Sequence, residues 1–186
     1  MKREYLTVPN VLSLSRLILL PMLFMFVITG QDLAFLISFI IIGSTDFFDG
    51  YIARKFDQKT EIGKTLDSLA DLFFYLSCAW FLYRLYPHYL EPNNQLLFVF
   101  FGLLALSFLI SGILLKKPIL MHTFLFKLNA VLVYLLIIFS YFTNTTYLIA
   151  FILVVYIIGF IEEIIIFIKY GEVDPDTMSV FSLRTK

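Results

Sequence analysis

The chain has 186 residues, of which 60% are hydrophobic and 22 are phenylalanine, and its mean hydropathy is +0.90. A soluble domain of this length cannot hide so much apolar surface from water, so the composition excludes a soluble globular protein and indicates a membrane protein. The 14 Lys and Arg residues balance the 14 Asp and Glu residues, and no basic run is long enough for a polyanion, so nucleic-acid binding is not expected.

Apolar runs of roughly 20 residues, the length that crosses the hydrocarbon core of a bilayer, predict six membrane-spanning helices. They are expected at about 11–29, 32–54, 63–86, 95–115, 124–142 and 145–169. Six spans leave few residues over, so the sequence predicts an all-α integral membrane protein with one domain over residues 1–186 and a polar tail at 171–186. Asn10 is the expected N-cap of the first helix, after a short lead-in at the membrane surface.

Positive charges fall mostly on one side of these predicted spans. Of the 14 Lys and Arg residues, only Arg84 lies near a loop assigned to the outside. The positive-inside rule therefore places both termini, and the connection between the second and third spans, in the cytoplasm. Trp80, Tyr83, Tyr86 and Tyr89 cluster at the opposite end, as in an interfacial aromatic belt. The expected location is a bacterial plasma membrane.

Four aspartates lie towards the cytoplasmic ends of the second and third predicted spans. The pattern reads Asp46-x2-Asp49-Gly50-x2-Ala53-Arg54-x8-Gly63-x3-Asp67-x3-Asp71. Ionisable clusters inside a membrane are costly and are functional by default. On a helix each pair of aspartates faces one way, so the two pairs converge if their helices are neighbours. Because four convergent carboxylates repel one another, the pattern predicts a divalent metal site suited to Mg²⁺ or Mn²⁺.

The residue types and spacing of this motif match the signature of the CDP-alcohol phosphotransferase family at every fixed position, with eight residues fixed over 26 positions. The resemblance implies a six-helix membrane enzyme that transfers a phosphatidyl group from CDP-diacylglycerol to a small alcohol and releases CMP. It also implies two divalent ions on the carboxylates matching Asp46, Asp49, Asp67 and Asp71, a general base matching Asp71, and a homodimer formed through the membrane helices.

Each residue type in the motif also meets a need of phosphoryl-group chemistry. Such a transfer requires cations across the diphosphate, an oriented attacking oxygen and a base to accept its proton. Asp71 lies deepest on its helix, at the edge of the cluster, and is the best-placed base. The other motif residues are expected to bind the nucleotide and its diphosphate, through close approach to the backbone or a planar phosphate-binding fork: Asp49, Gly50, Ala53, Arg54 and Gly63.

The acceptor alcohol is less well defined by the sequence. The start of the chain, with Pro9-Asn10, Ser15-Arg16 and Pro21, resembles the phosphatidylglycerophosphate synthase and cardiolipin synthase group. A phosphatidylglycerophosphate synthase would use glycerol 3-phosphate. Ser68 and Leu72 instead stand where glycerophosphate enzymes often carry Pro and Lys, and are closer to phosphatidylserine synthases. Phosphatidylserine synthase and another alcohol transferase therefore remain open alternatives.

A phosphorylated acceptor needs a cationic cradle, and four charges outside the nucleotide motif are available: Arg16, Lys116, Lys117 and Lys127. Arg16 is the first choice. It lies about 9 Å along the first helix from Asn10, where an unpaired guanidinium is expensive, so its partner is expected to be a substrate anion or a carboxylate.

Two functions of other classes are also compatible with acidic residues in a membrane. A cation transporter tends to bind its ion near the bilayer midplane between repeated halves, whereas these acids lie towards one face of a chain without repeats. An inactive scaffold is the second alternative, and the intact motif argues against it. Elsewhere, Glu162 and Glu163 are expected to serve packing or to pair with Lys169 as readily as to serve a function.

Overall fold

The computed structural model describes residues 7–55, 61–116, 121, 123–174 and 177–183, and only the helical backbone within 46–54 and at 61, 62, 64, 65 and 68. Six long helices lie within these residues: α1 Val8–Ile28, α2 Asp32–Lys55, α3 Glu61–Leu85, α5 Asn94–Leu115, α6 Phe124–Phe142 and α7 Thr146–Tyr170. Shorter elements are α4 Pro87–Leu90 and the 3₁₀ turns Glu91–Asn93 and Val180–Leu183. The predicted all-α class is confirmed, and each long helix begins and ends within three residues of a predicted span.

Four helical stretches of the described chain are long and apolar enough to cross a membrane: Val8–Ile28, Pro87–Leu115, Phe124–Phe142 and Thr146–Tyr170. A shorter apolar stretch covers Asp32–Thr45. The aspartate motif follows this stretch directly in the sequence. This pattern is that of an integral membrane protein.

The first helix begins at Val8 rather than at residue 11, and Asn10 is not its N-cap. Thr7 holds that position in extended backbone conformation, and its Oγ1 accepts a hydrogen bond from the backbone N of Asn10 at 3.4 Å. Pro9 fits the first turn because the N–H groups there have no intrahelical acceptor. The prediction was wrong because Thr and Asn both cap helices, and the apolar run alone does not choose between them. The predicted surface lead-in lies mainly in residues 1–6, outside the described residues.

The chain divides into two compact units, Met1–Pro87 and His88–Lys186, and the prediction of one domain over residues 1–186 stays a prediction. In the first unit α1 packs against α2 and α3. Phe81 of α3 is buried, and its ring centroid lies 4.9 Å from that of Phe24 in α1 and 5.0 Å from that of Phe35 in α2. Aromatic pairs of this kind each contribute about 0.5–1.5 kcal/mol beyond the burial of their area. This aromatic cluster packs the three helices against one another. Its α1 member, Phe24, lies about 12 Å along the helix from Arg16.

In the second unit α7 packs against α5 and α6. The ring of Phe160 in α7 lies 5.6 Å from that of Phe100 in α5 and 5.0 Å from that of Phe126 in α6, between centroids. A Cβ at the neighbouring Gly159 would lie 3.2 Å from Cε1 of Phe126. The absence of a side chain at Gly159 therefore allows α6 and α7 to approach closely, as small residues do in membrane helices.

The glycines of α5 do not serve close packing within the described part of the chain. A Cβ at Gly102 or Gly112 would meet no heavy atom within 4 Å. Ser107 and Ser111 of the same helix are fully buried, so α5 uses its serines where it packs against the rest of the unit.

Two adjacent carboxylates of α7 bind different parts of the second unit. Glu163 is fully buried and accepts hydrogen bonds from Ser107 Oγ at 2.7 Å and from the backbone N of Met121 at 2.6 Å. Glu162 accepts from Ser179 Oγ at 2.8 Å and from the backbone N of Val180 at 2.9 Å. The two side chains therefore connect α7 to α5, to the chain just before α6 and to the C-terminal segment, which confirms a packing role.

Replacing Glu163 with alanine is expected to destabilise the protein by about 2–4 kcal/mol. The change leaves the buried N–H of Met121 and the hydroxyl of Ser107 without their acceptor, and each such group costs about 1–3 kcal/mol. The melting temperature in detergent micelles measures the loss. Glu163→Gln is the matched control, because its amide oxygen still accepts from Met121 and its amide nitrogen donates to Ser107. Equal melting temperatures for both variants and the wild type would contradict the assigned role.

Candidate functional site

A buried arginine lies between the two helices that carry the aspartate motif. Arg16 of α1 is 1% exposed, and its Nη1 forms an ion pair with Oδ1 of Asp71. Its Nη2 lies 3.8 Å from Oδ1 of Asp67, and its Nε donates to Thr45 Oγ1 at 3.5 Å. One guanidinium therefore contacts both aspartates of α3 and the residue of α2 that directly precedes Asp46.

Asp67 and Asp71 face the same way along α3, as their four-residue spacing predicts. Ser13, one turn before Arg16, has its Oγ 3.3 Å from Oδ1 of Asp67 and 3.2 Å from the carbonyl oxygen of Pro9. The aspartate side chains are still 42% and 36% exposed, respectively. Both carboxylates are thus held from the α1 side and open on another side, where a ligand can approach.

The α2 half of the motif is described only as backbone. Residues 46–54 are helical, so Asp46, Asp49, Gly50, Ala53 and Arg54 follow Thr45 on α2, while the placement of their side chains lies outside the described part. Convergence of the two aspartate pairs therefore stays a prediction. The contact between Arg16 and Thr45 supports it, because it brings the start of the α2 pair towards the guanidinium that holds the α3 pair.

The remaining predicted site residues occupy three different settings. Gly63 lies in the first turn of α3, one turn before Asp67. Lys116 ends α5 in a left-handed conformation with φ 57°, and Lys127 is exposed in the first turn of α6. Lys117 lies outside the described residues. The two described lysines belong to the second unit, whereas Arg16 belongs to the first.

Sequence reasoning missed Ser13 and Thr45 as members of this site. The available signal was a hydroxyl residue inside an apolar helix at a helical interval from a charge: Ser13 lies three residues before Arg16, and Thr45 directly precedes Asp46. Together with the carboxylates, these hydroxyls give the described site only oxygen ligands. Hard divalent cations such as Mg²⁺ and Mn²⁺ prefer such ligands, so the residues present fit the predicted metals.

An apolar groove lies along α1 and α3 in the first unit. It has a volume of about 400 Å³ and is lined by Leu17, Leu20, Pro21 and Phe24 of α1 and Phe73 of α3. Leu17 follows Arg16 directly, and Phe73 lies two residues after Asp71. The groove lining therefore includes residues from the same turns of α1 and α3 as Arg16 and Asp71, and it offers apolar contact for a hydrocarbon tail.

A sequence model of the family described as CDP-alcohol phosphatidyltransferase matches residues 6–162. The chain therefore belongs to the CDP-alcohol phosphatidyltransferase family, which confirms the resemblance carried by the aspartate motif.

Individual relatives match shorter stretches. The chain is 40% identical over 114 residues to the CDP-diacylglycerol–glycerol-3-phosphate 3-phosphatidyltransferase of Aquifex aeolicus, a match that covers 60% of this chain and 61% of that protein. The protein of the same name from Escherichia coli K12 is 37% identical over 67 residues, 34% of this chain and 37% of its own. A cardiolipin synthase (CMP-forming) / mitochondrial hydrolase fusion protein of Schizosaccharomyces pombe is 41% identical over 71 residues, 38% of this chain and 12% of its own. No solved structure matches the chain significantly.

Proposed function

We propose that this protein transfers the phosphatidyl group of CDP-diacylglycerol to glycerol 3-phosphate. The observation that carries the proposal is the complete aspartate motif, whose α3 carboxylates Asp67 and Asp71 are held together by the buried Arg16. Family membership supports the reaction class, and the printed names of the Aquifex and Escherichia coli relatives support this acceptor. In the reaction, a bond forms between the acceptor oxygen and the β-phosphorus. The bond from that phosphorus to the bridging oxygen breaks, and CMP leaves.

Two divalent ions, Mg²⁺ or Mn²⁺, are proposed to be held by Asp46, Asp49, Asp67 and Asp71. When bound, they would neutralise charge on the diphosphate and make its phosphorus more electrophilic. The support for this assignment is the all-oxygen character of the described site and the exposed side of each α3 carboxylate.

The chain's own residues orient the two substrates and move the proton. Asp71 is proposed to accept the proton of the acceptor hydroxyl as that oxygen attacks. The nucleotide and its diphosphate are assigned to Asp49, to Arg54 as a planar fork, and to the small residues Gly50, Ala53 and Gly63, which permit close approach to the helix backbone. The apolar groove that begins at Leu17 offers hydrocarbon contact for an acyl chain.

The acceptor phosphate needs cations in addition to this machinery. Lys116, Lys117 and Lys127 are proposed to supply them. Lys116 and Lys127 are exposed, so a ligand in the solvent can reach both side chains.

The central experiment supplies the purified protein with CDP-diacylglycerol, Mg²⁺ and a panel of alcohols, and identifies the lipid product by mass spectrometry. We expect phosphatidylglycerophosphate from glycerol 3-phosphate, with one CMP released per lipid formed. Phosphatidylserine as the main product would overturn the proposed acceptor while keeping the transferase. No CMP with any alcohol would overturn the transferase itself and favour a scaffold.

Orientation and assembly are further parts of the proposal. We propose that both termini and the active site face the cytoplasm of a bacterial plasma membrane, and that the protein is a homodimer. The charge distribution along the chain supports the orientation. In a Cys78→Ser background, an impermeant thiol reagent should label Asn144→Cys from outside intact cells and Glu172→Cys only after lysis. The reverse labelling pattern would show the opposite topology. The mass of the protein in detergent tests the proposed dimer.

A further inference from the structure

We propose that Arg16 is a positioning residue of the aspartate motif, which orients the catalytic carboxylates instead of binding the acceptor phosphate. This inference rests on the proposed function. Its basis is that the Nε, Nη1 and Nη2 atoms of Arg16 each contact a different protein group, on Thr45, Asp71 and Asp67. A phosphate-binding arginine instead presents its planar fork to the ligand.

The depth of Arg16 in its helix suits this role. Arg16 lies about 12 Å along α1 from Val8, whereas Asp67 and Asp71 lie about 9 and 15 Å along α3 from Glu61. If α1 and α3 cross the membrane in the same direction, the guanidinium stands between the two carboxylates and reaches both. Its burial also matters, because a cation that is 1% exposed must remain paired.

The contacts with Arg16 leave the carboxylates of Asp67 and Asp71 accessible to a ligand. Asp67 and Asp71 remain 42% and 36% exposed although both contact Arg16, so the guanidinium fixes their orientation without covering them. The additional bond to Thr45 extends the same restraint to α2, one residue before Asp46. Arg16 therefore connects the two helices whose carboxylates have to converge.

Only arginine can make these three contacts together. A guanidinium is a planar fork with five donors, whereas the ammonium of lysine is a point charge on a flexible stem. Arg16→Lys therefore keeps the positive charge but holds the Asp67 and Asp71 carboxylates less firmly in their orientation. Arg16→Gln removes the charge and this restraint. Residues that orient the ligands of a metal typically change activity about 10–100-fold when replaced.

Steady-state kinetics with the acceptor identified by the alcohol panel separates the two roles of Arg16. We expect Arg16→Gln to lower kcat about 10–100-fold, with the KM for the acceptor nearly unchanged, and Arg16→Lys to lower kcat less. Lys169→Gln, which removes an exposed cation at the end of α7, is the matched control and should behave as wild type. A raised KM with unchanged kcat would show acceptor binding and overturn the proposal, as would wild-type kinetics in both Arg16 variants.

A double-mutant cycle tests whether Arg16 acts through Asp71. In an Asp71→Asn background, adding Arg16→Gln should reduce the residual rate little further, because the group that Arg16 orients has already lost its function. An additional loss as large as that caused by Arg16→Gln in the wild type would show that Arg16 does not act through Asp71, and would overturn the proposal that it orients this base. The same cycle measured as melting temperatures tests the ion pair without any activity: additive losses there would contradict the pairing. An inactive wild type with non-additive melting temperatures would refute the proposed function alone.

Discussion

Asp67→Ala is expected to abolish both phosphatidyl transfer and tight binding of a divalent cation. Asp67 is one of the four aspartates of the motif, and its side chain is 42% exposed although it contacts Arg16. Removing it lowers the negative charge and the number of oxygen ligands for the ions. Product formation and Mn²⁺ binding by titration calorimetry measure the two losses. Asp46→Ala should have the same effect from the α2 side of the motif.

The matched control for this change is Asp32→Ala. Asp32 is an exposed aspartate in the first turn of α2, at the end of that helix away from the motif. The Asp32→Ala variant should retain wild-type activity and metal binding. All variants should elute at the wild-type volume in size-exclusion chromatography. Full turnover of the wild type in excess chelator would defeat the metal assignment.

Asp71→Asn is expected to reduce turnover at least roughly a hundredfold, the contribution typical of a general base. Asparagine keeps the shape of the side chain and an oxygen that can accept from Arg16 or bind a metal, but it cannot take the proton of the acceptor hydroxyl. Binding of CDP-diacylglycerol should therefore persist. Rapid-quench turnover and equilibrium binding of the nucleotide lipid provide the two measurements.

Two outcomes would change the role of Asp71. A near-normal rate in Asp71→Asn would show that another residue is the general base. Equal loss of turnover and of CDP-diacylglycerol binding would make Asp71 mainly a metal ligand, because a base acts in the chemical step and contributes little to ground-state binding.

The helices were predictable from the sequence because membrane length sets the length of an apolar run. The first residue of α1 was less predictable than its length. Thr7 and Asn10 both suit an N-cap, and the choice between them depends on local hydrogen bonding. The motif was predictable as a set of residue types at a fixed spacing, and the facing of Asp67 and Asp71 followed from helical geometry.

Long-range partners were not predictable in the same way. Sequence reasoning required an anion for Arg16 but left a substrate and a carboxylate equally open, and only the packing of α1 against α3 brings Asp71 to it. For Glu163 it offered Lys169 as one possible partner, whereas the observed partners are a serine of α5 and a backbone N–H before α6. Such contacts depend on how helices pack, which spacing within one helix does not encode.

The ion pair between Arg16 and Asp71 joins residues 55 positions apart in the chain, and this separation has a consequence for biogenesis. At about 5–20 residues per second, ribosomes synthesise the arginine about 3–11 s before its counter-ion. A lone arginine is expensive in the bilayer centre and is tolerated where its side chain reaches the headgroups. During that interval Arg16 is therefore expected to stay near the headgroups of the membrane. The third helix, once it has been synthesised, supplies the negative charge of Asp71 that pairs with Arg16.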